Sequence, residues 1–275
     1  MTDFQYTPLT ISVIALVILS IVLLLVIAAI QRRYHEQRLS LAKTEHHSQL
    51  WQQQYQQLQL QHHSLQQQYQ QLAIEAGLWL CNGSLFERDG DNIYNTSSVI
   101  SPEGKVHCRY RKVYPFLPYE IGVSCGDSFK VFDIPGVGCF GLSICYDMWF
   151  PESIRALVWQ GAEVILHPTL TNTIDRNAEL AIARANAAMN HCYMVDINVA
   201  GSMGVGQSIV VGPGGEVIHQ AAVQHEVIVV ELDLAYLRRV RRQGWHSLGQ
   251  PLKSFRDNPV VFPQYQPAAV SESLN

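Results

Sequence analysis

A cysteine at the end of an apolar run is the strongest candidate for chemistry in this chain. The stretch GLSICYDMWFPE places Cys145 between residues 141–144, predicted as a strand, and a helix predicted to start near Pro151. Such an elbow exposes a side chain at the edge of a sheet and directs backbone N–H groups, here that of Tyr146, towards a developing oxyanion. Because Cys reacts as the thiolate, Cys145 needs a cation or a base beside it.

Two charged residues upstream could meet that need. The stretch YRKVYPFLPYE contains Lys112 and Glu120. A lysine can stabilise the negative charge of a tetrahedral intermediate, and a carboxylate can orient that lysine or move protons. The elbow alone is equally typical of a buried structural cysteine, so both interpretations stay open at this point.

Alternating strand-like and helix-like runs begin near residue 73 and must position these residues. The predicted strands are 78–85, 95–102, 106–116, SFKVFDIP, CFGLSICYD, EVILHP, YMVDINVAG, GQSIVVGPGGEVIH and VIVVELDL, and the predicted helices are 151–161 and AELAIARANAAMNHC. This order favours an α+β fold with layered mixed sheets over a doubly wound sheet. The chain contains no GxGxxG or Walker pattern, so nothing supports a nucleotide cofactor.

Composition excludes other classes of function. A net charge of −4 and a pI of about 6.2 give no basic excess for a nucleic-acid partner. The six cysteines are widely spaced, with no CxxC pair, which predicts reduced thiols, no disulfide framework and no metal site.

The N-terminal part reads as a membrane anchor. The run from Ile11 to Ile30 carries no charge, and its twenty residues match a bilayer core of about 30 Å. A cleaved signal peptide is the rival, but no Lys or Arg precedes the run. Because Arg32, Arg33 and Arg38 follow the run, the pattern predicts a single-pass membrane protein whose large C-terminal part lies in the cytoplasm.

A Gln-rich stretch follows over residues 34–72. The motif QQQYQQL occurs twice, at 52–58 and 66–72, and apolar residues recur at heptad spacing. This pattern predicts a helical coil that makes a homo-oligomer, with a solvated spacer helix or a disordered tract as alternatives. The predicted division is therefore 1–33 anchor, 34–72 linker, 73–265 folded domain and 266–275 tail.

Several segments together resemble the nitrilase or carbon–nitrogen hydrolase superfamily. They are RKVYPF, GLSICYDMWFPE and GAEVILHPT, and the segments YPFLPYEIG, HPTLTN and WHSLGQPLKSFRD resemble aliphatic amidases and formamidase-like members. The resemblance implies an αββα layered sandwich that hydrolyses non-peptide carbon–nitrogen bonds of a small amide or nitrile, with no metal or organic cofactor. It implies attack by a cysteine, loss of ammonia and hydrolysis of the thioester by water.

The family's residues are carried over one at a time. Its nucleophile corresponds to Cys145, its lysine to Lys112 and an accessory glutamate to Glu120. The substrate-binding residues implied by the resemblance are Tyr119, Tyr146, Trp149 and His167, and the loop from His167 to Asn172 is expected to line the pocket.

The N-terminal side departs from the family pattern. Where the general-base glutamate is expected, residues 37–52 hold a single acidic residue, Glu45, on a helical pattern. The first strands and helix of the fold also have no counterpart, so the domain is predicted to be N-terminally incomplete. The alternative functions are a catalytically impaired, membrane-anchored oligomeric scaffold and, in third place, acyl transfer from a thioester to an amine.

Overall fold

The structure is a computed structural model that describes residue 33, residues 63–258 and residue 260. The chain divides into two compact units, Met1–Leu65 and Gln66–Asn275. Both sheets, every helix that follows residue 150 and the candidate site lie in the second unit.

The described residues form ten strands and five α-helices. The strands are β1 (Leu80–Cys81), β2 (Leu85–Asp89), β3 (Asn92–Ile100), β4 (Val106–Arg111), β5 (Lys130–Ile134), β6 (Gly138–Leu142), β7 (Val164–Thr169), β8 (Tyr193–Asn198), β9 (Ile209–Val211) and β10 (Val217–Gln220). The helices are α1 (described over 63–76), α2 (Pro151–Trp159), α3 (Arg176–Asn190), α4 (Leu234–Gln243) and α5 (Pro251–Asp257). Two 3₁₀ helices cover Cys145–Trp149 and Trp245–Ser247.

The first sheet is antiparallel and centred on β3. Strand β4 pairs with one side of β3, and β1 and β2 follow one another along its other side. The single strand predicted over 78–85 is therefore interrupted between Cys81 and Leu85. At the interruption, Asn82 Oδ1 accepts a hydrogen bond of 2.9 Å from the Ser98 N–H, which replaces a bond between strands.

The second sheet has the order β10-β9-β8-β7-β6-β5. The central pairs β6–β7 and β7–β8 are parallel, whereas β5–β6, β8–β9 and β9–β10 are antiparallel. The carboxyl ends of β6 and β7 therefore meet at one edge, and the chain enters the 3₁₀ helix at Cys145 from that edge. Antiparallel hairpins join β5 to β6 and β9 to β10, and the second turns at the PGG segment.

Two hydrophobic cores define the layers. Between the sheets, Val99 and Tyr110 of the first sheet pack with Phe132 and Leu142 of the second. On the other face of the second sheet, α2 and α3 contribute apolar residues that pack on strand residues; this core includes Ile154, Leu157, Ala183, Ala187, Ile165 and Met194. The predicted α+β sandwich is confirmed in its sheet–sheet–helix part.

Helix α1 is placed by the turn between β3 and β4. Gln70 Nε2 donates a hydrogen bond of 2.8 Å to the Gly104 carbonyl. Gly104 has φ +75°, and a Cβ there would lie 2.6 Å from Ile74 Cδ1. Glycine is required at this turn both for its left-handed backbone and for the close approach of α1.

The strand predicted over VIVVELDL is wrong. Residues 227–233 form no strand, and Val227 and Val229 are each 98% exposed. An alternating apolar pattern is typical of a strand, but a strand also needs a partner for its backbone groups. Instead, Asp233 caps α4, since its Oδ1 accepts a hydrogen bond of 2.8 Å from the Tyr236 N–H.

The prediction of a single-pass membrane protein is contradicted. Among the residues that the structure describes, no helix has both the length and the apolar character needed to cross a membrane. The run from Ile11 to Ile30, on which that prediction rested, lies outside the described residues. The Gln-rich stretch 34–72 also falls mostly outside them, and its described part, 63–72, is helical.

Candidate active site

A cavity of about 910 Å³ collects most of the predicted site residues. Cys145, Lys112 and Glu120 all line it. Its wall comes from the interruption between β1 and β2, from β3, from the loop after β4, from the elbow after β6 and from the segment after β7. The predicted site is thus assembled from residues far apart in the sequence.

The elbow at Cys145 has the predicted form. Strand β6 ends at Leu142, the 3₁₀ helix starts at Cys145 and α2 starts at Pro151. Cys145 has φ +49°, in the left-handed region that residues other than glycine seldom adopt. Strained backbone of this kind persists where the surrounding structure holds it, and it concentrates at functional sites.

Asp147 holds this elbow against the segment that carries Lys112. Its carboxylate is buried and accepts hydrogen bonds from the Tyr110 hydroxyl (2.7 Å), the Ile144 N–H (2.9 Å) and the Tyr114 N–H (2.9 Å). Burial raises the pKa of Asp147, and the hydrogen bond from Tyr110 opposes that rise. The Asp147 carboxylate therefore links Ile144, which precedes Cys145, to Tyr110 and Tyr114, which lie two residues on either side of Lys112.

Lys112 and Glu120 form a buried ion pair. Lys112 Nζ lies 2.6 Å from Glu120 Oε2, and the two side chains are 2% and 8% exposed. Asn95 Nδ2 donates to Glu120 Oε1 at 2.7 Å, and the Phe116 N–H also donates to this carboxylate. Burial favours a high pKa for Glu120, but the bonds from Asn95 and Lys112 outweigh it and lower the pKa. Glu120 is therefore a fixed anion that holds the lysine.

Cys145 experiences opposing influences. Burial raises the pKa of its thiol, while the charge of Lys112 and a hydrogen bond from Thr169 lower it. The charge of Glu179 raises it again. The pKa of the Cys145 thiol is therefore raised overall, so its thiolate forms only if another group accepts the thiol proton.

Three of the four predicted substrate-binding residues line the cavity. They are Tyr119, Tyr146 and Trp149. His167 is not among the lining residues, because its ring is buried and its Nδ1 lies 3.0 Å from Ser143 Oγ. Burial, Arg176 and Lys112 lower the pKa of His167 to about 3, so its ring is neutral at pH 7.

Several residues of the site were not predicted from the sequence. Asn95, Asp147 and Glu179 were missed, although Asp147 follows Cys145 closely, whereas Thr169 and Thr171 lie within the predicted pocket loop 167–172. Glu179 lines the cavity from α3 and is 3% exposed. Glu45, the acid in the stretch where the family's base was expected, lies outside the described residues.

The fold and the cavity define a class: an α/β sandwich with a cysteine at a strand elbow and a lysine–glutamate pair in the same cavity. The family model described as carbon-nitrogen hydrolase matches residues 42–242. The chain belongs to the carbon-nitrogen hydrolase family.

Individual relatives support the same assignment. Omega-amidase NIT2-B of Xenopus laevis is 35% identical over 188 residues, which cover 63% of this chain and 68% of that protein. The crystal structure of Saccharomyces cerevisiae Nit3, of the nitrilase superfamily, matches with a TM-score of 0.59 and 32% identity over 63% of this chain and 66% of that one. The amidase from Nesterenkonia sp. AN1, in a variant with the acetamide moiety of fluoroacetamide added covalently at its active-site cysteine, matches with a TM-score of 0.59 and 26% identity over 65% and 70%.

These matches correct one detail of the sequence interpretation. The curated relatives include omega-amidases and a nitrilase from Pyrococcus abyssi, rather than the aliphatic amidases or formamidase-like members suggested by the segments. The matched region spans about two thirds of each relative's length, at 68% and 66% for the first two above.

Proposed function

We propose that this chain hydrolyses the carbon–nitrogen bond of a small aliphatic amide through a thioester on Cys145, releasing ammonia and an acid. The observation that carries the proposal is the convergence of Cys145, Lys112 and Glu120 on one cavity. The relative that carries an acetamide moiety on its active-site cysteine supports the same choice of nucleophile.

The proposed reaction uses each of these groups once. The Cys145 thiolate attacks the amide carbon, and negative charge develops on the carbonyl oxygen. Lys112 Nζ, held by Glu120, and the Tyr146 N–H stabilise that charge. The nitrogen takes up the proton that the Cys145 thiol released, and the C–N bond breaks to give ammonia and the thioester. Water then adds its oxygen to the thioester carbon, the C–S bond breaks, and a proton from that water returns to the sulfur as the acid leaves.

The charges in the cavity favour a neutral substrate. Among the described lining residues, Lys112 is the only cation, and it is already paired with Glu120. Asp175 and Glu179 add negative charge to the wall, and this charge disfavours an amide substrate that also carries a carboxylate. The remaining wall is largely aromatic and aliphatic, with Phe116 and Trp149 among its members, and suits an apolar acyl group.

A second candidate function is a hydrolase-like scaffold that binds but does not turn over substrate. The observation in its favour is in the sequence: residues 37–52, where the family's general base is expected, hold a single acidic residue, Glu45, on a helical pattern. In that case the Gln-rich stretch would serve a homo-oligomer, and residues 73–265 would supply the binding domain. The domain boundary at residue 73 and the homo-oligomer are both part of this second proposal.

Ammonia release separates the two candidates. The full chain is assayed with formamide, acetamide and a small nitrile, beside Cys145→Ala and the matched control Cys125→Ala, which removes an exposed thiol. We expect release by wild type and by Cys125→Ala, and none above background by Cys145→Ala. Equal background in all three would reject the enzyme and favour the scaffold.

A further inference from the structure

The cavity around Cys145 is much larger than a small amide requires. Its volume of about 910 Å³ lies near the top of the range of about 300–1,000 Å³ that is typical of sites for drug-sized ligands. Acetamide would fill a small fraction of it. The reactive groups Cys145, Lys112 and Glu120 mark one end of this space, together with Asn95, which donates to Glu120 at 2.7 Å. The rest of the cavity is available to the acyl part of a substrate.

The edge of the first sheet gives this space a direction. Residues 82–86, from the loop between β1 and β2 and the start of β2, line the cavity as an unbroken run. Phe86 lies opposite Asn95 in the pairing of β2 with β3. Asn82 lies beside Ser98, because its Oδ1 accepts a hydrogen bond from the Ser98 N–H. The cavity therefore follows the sheet edge from Asn95 to Ser98, a distance of about 10 Å along β3.

Helix α1 stands beyond the far end of this edge. Gln70 Nε2 donates to the Gly104 carbonyl in the turn between β3 and β4. Lys112 follows the opposite end of β4, a strand of six residues, so the point that holds α1 is about 20 Å from Lys112 along the strand. Tyr69, next to Gln70, is half-buried and lines the cavity. Its side chain therefore bounds the cavity at the end away from the reactive groups.

The sheet edge between the two ends carries no charge. Residues 82–86 are Asn, Gly, Ser, Leu and Phe, and the Asn82 oxygen is already occupied by the Ser98 N–H. Leu85 and Phe86 present apolar surface to the cavity, and Phe86 is 59% exposed. An apolar chain laid along this edge would remove that surface from water, which favours binding. A charged group there would lose its hydration without gaining an ionic partner from residues 82–86.

We propose that the cavity binds amides with a straight apolar acyl chain of up to about eight carbons, and that Tyr69 closes the end of the cavity away from Cys145. A zigzag chain of that length, with C–C bonds of about 1.5 Å, spans the sheet edge of about 10 Å. This inference deepens the proposed function and rests on it for its catalytic meaning, because it names the acyl group of the amide. Tyr69 is then a residue that determines specificity and takes no part in the chemical step.

A series of straight-chain amides from acetamide to decanamide tests the inference. Ammonia release gives kcat/KM for each amide in the full chain, for wild type, Tyr69→Ala and Ser84→Phe. Leu72→Ala is the matched control, because Leu72 lies on the same helix, is 49% exposed and is not among the described lining residues. Calorimetric titration of the same amides into each protein in a Cys145→Ala background gives dissociation constants without turnover. Thermal unfolding is recorded for every variant.

Wild type should gain about two- to fourfold in kcat/KM and in affinity for each added methylene up to octanamide, and nothing beyond, because the chain then meets Tyr69. Tyr69→Ala should continue the gain, so that its decanamide-to-octanamide ratio exceeds that of wild type at least about fourfold. Ser84→Phe fills the edge midway and should move the optimum down to about four carbons. A general loss of stability would not move the optimum in opposite directions. Leu72→Ala should keep the wild-type profile.

A wild-type profile that is flat or falls beyond acetamide overturns the inference, as does a Tyr69→Ala profile with the wild-type optimum. If one of the two variants fails to unfold cooperatively, the other decides together with the wild-type profile. The two measurements keep the proposals apart. No ammonia release by wild type, with dissociation constants in the Cys145→Ala background that still fall with chain length, rejects the proposed function and leaves the acyl site in place.

Discussion

Two glutamates line the same cavity and stand in opposite environments. Glu120 receives hydrogen bonds from Lys112, Asn95 and the Phe116 backbone, and these lower its pKa. Glu179 receives one hydrogen bond from a hydroxyl and shares the guanidinium of Arg176 with a second carboxylate, Asp196. One carboxylate is surrounded by donors, and the other shares a single guanidinium with a neighbouring carboxylate.

The difference shows how one residue type takes two roles. A carboxylate surrounded by donors keeps its charge and fixes the position of a cation, which suits the Lys112 side of the cavity. Glu179 shares its cation with Asp196, whose pKa burial raises to about 7, so the charge on the Thr169 side of the cavity varies with pH. Cys145 lies between the two, so each side can be altered separately.

The largest expected effect comes from breaking the Lys112 side. Lys112→Met removes the cation that faces the oxyanion, and we expect kcat/KM for acetamide to fall about 10²–10³-fold. It also leaves Glu120 buried without its partner, which should lower the free energy of unfolding by about 3–5 kcal/mol in urea titrations. The double variant Lys112→Met/Glu120→Gln should recover much of the stability and none of the activity. Recovery of activity would show that Lys112 acts only through the fold.

An intermediate effect is expected at Asp147, whose hydrogen bonds connect the Cys145 segment to the Lys112 segment. Tyr110→Phe removes the hydroxyl that donates to Asp147 at 2.7 Å. Since that carboxylate is buried, we expect a loss of about 1–3 kcal/mol in the free energy of unfolding. Activity should change by less than about tenfold, because Asp147 keeps its two backbone donors. Tyr94→Phe in β3 is the control, and an equal loss there would argue against the Asp147 contact.

The last expected effect is the pH dependence of stability that Asp196 contributes. Its pKa of about 7 in the folded protein lies above the unfolded value of about 3.9, so the folded state keeps a proton that the unfolded state has released. Its contribution to the free energy of unfolding is present below about pH 4 and is lost as the pH rises to about 7, by at most about 1.4 kcal/mol per pH unit.

Asp196→Asn should flatten the slope of unfolding free energy against pH in that window. Asp91→Asn, at an exposed aspartate in the turn between β2 and β3, is the control and should keep the wild-type slope. A slope that is the same in all three proteins would mean that Asp196 does not hold the proton.

The predictable part of the site is the part encoded by short segments. Lys112, Glu120 and Cys145 lie in short segments that resemble the family, and this resemblance identified them, because the elbow alone is equally typical of a structural cysteine. Thr171, Glu179 and Asp196 come together through the packing of α3 on the sheet and through the pairing of β7 with β8. No spacing pattern in the sequence predicts that these three residues lie close together.

Two wrong predictions have simple physical causes. His167 was assigned to the pocket, but its ring is buried against Ser143, whereas Pro168 and Thr169 at the end of the same strand line the cavity. The segment 227–234 has the alternation of a strand, but pairing depends on a neighbour that a pattern cannot supply. The sandwich itself was predictable, because the order of strands and helices restricts the layers that can form.

The central claim is that Cys145 is an activated nucleophile, and site-resolved labelling with fluoroacetamide tests it most directly. Cys145 should displace fluoride and acquire the acetamide moiety, while the exposed thiol Cys125 serves as the reference in the same chain. We predict that Cys145 is labelled at least about tenfold faster than Cys125 at pH 7, and that Lys112→Met removes this advantage. Labelling of Cys125 at the rate of Cys145 would contradict the account.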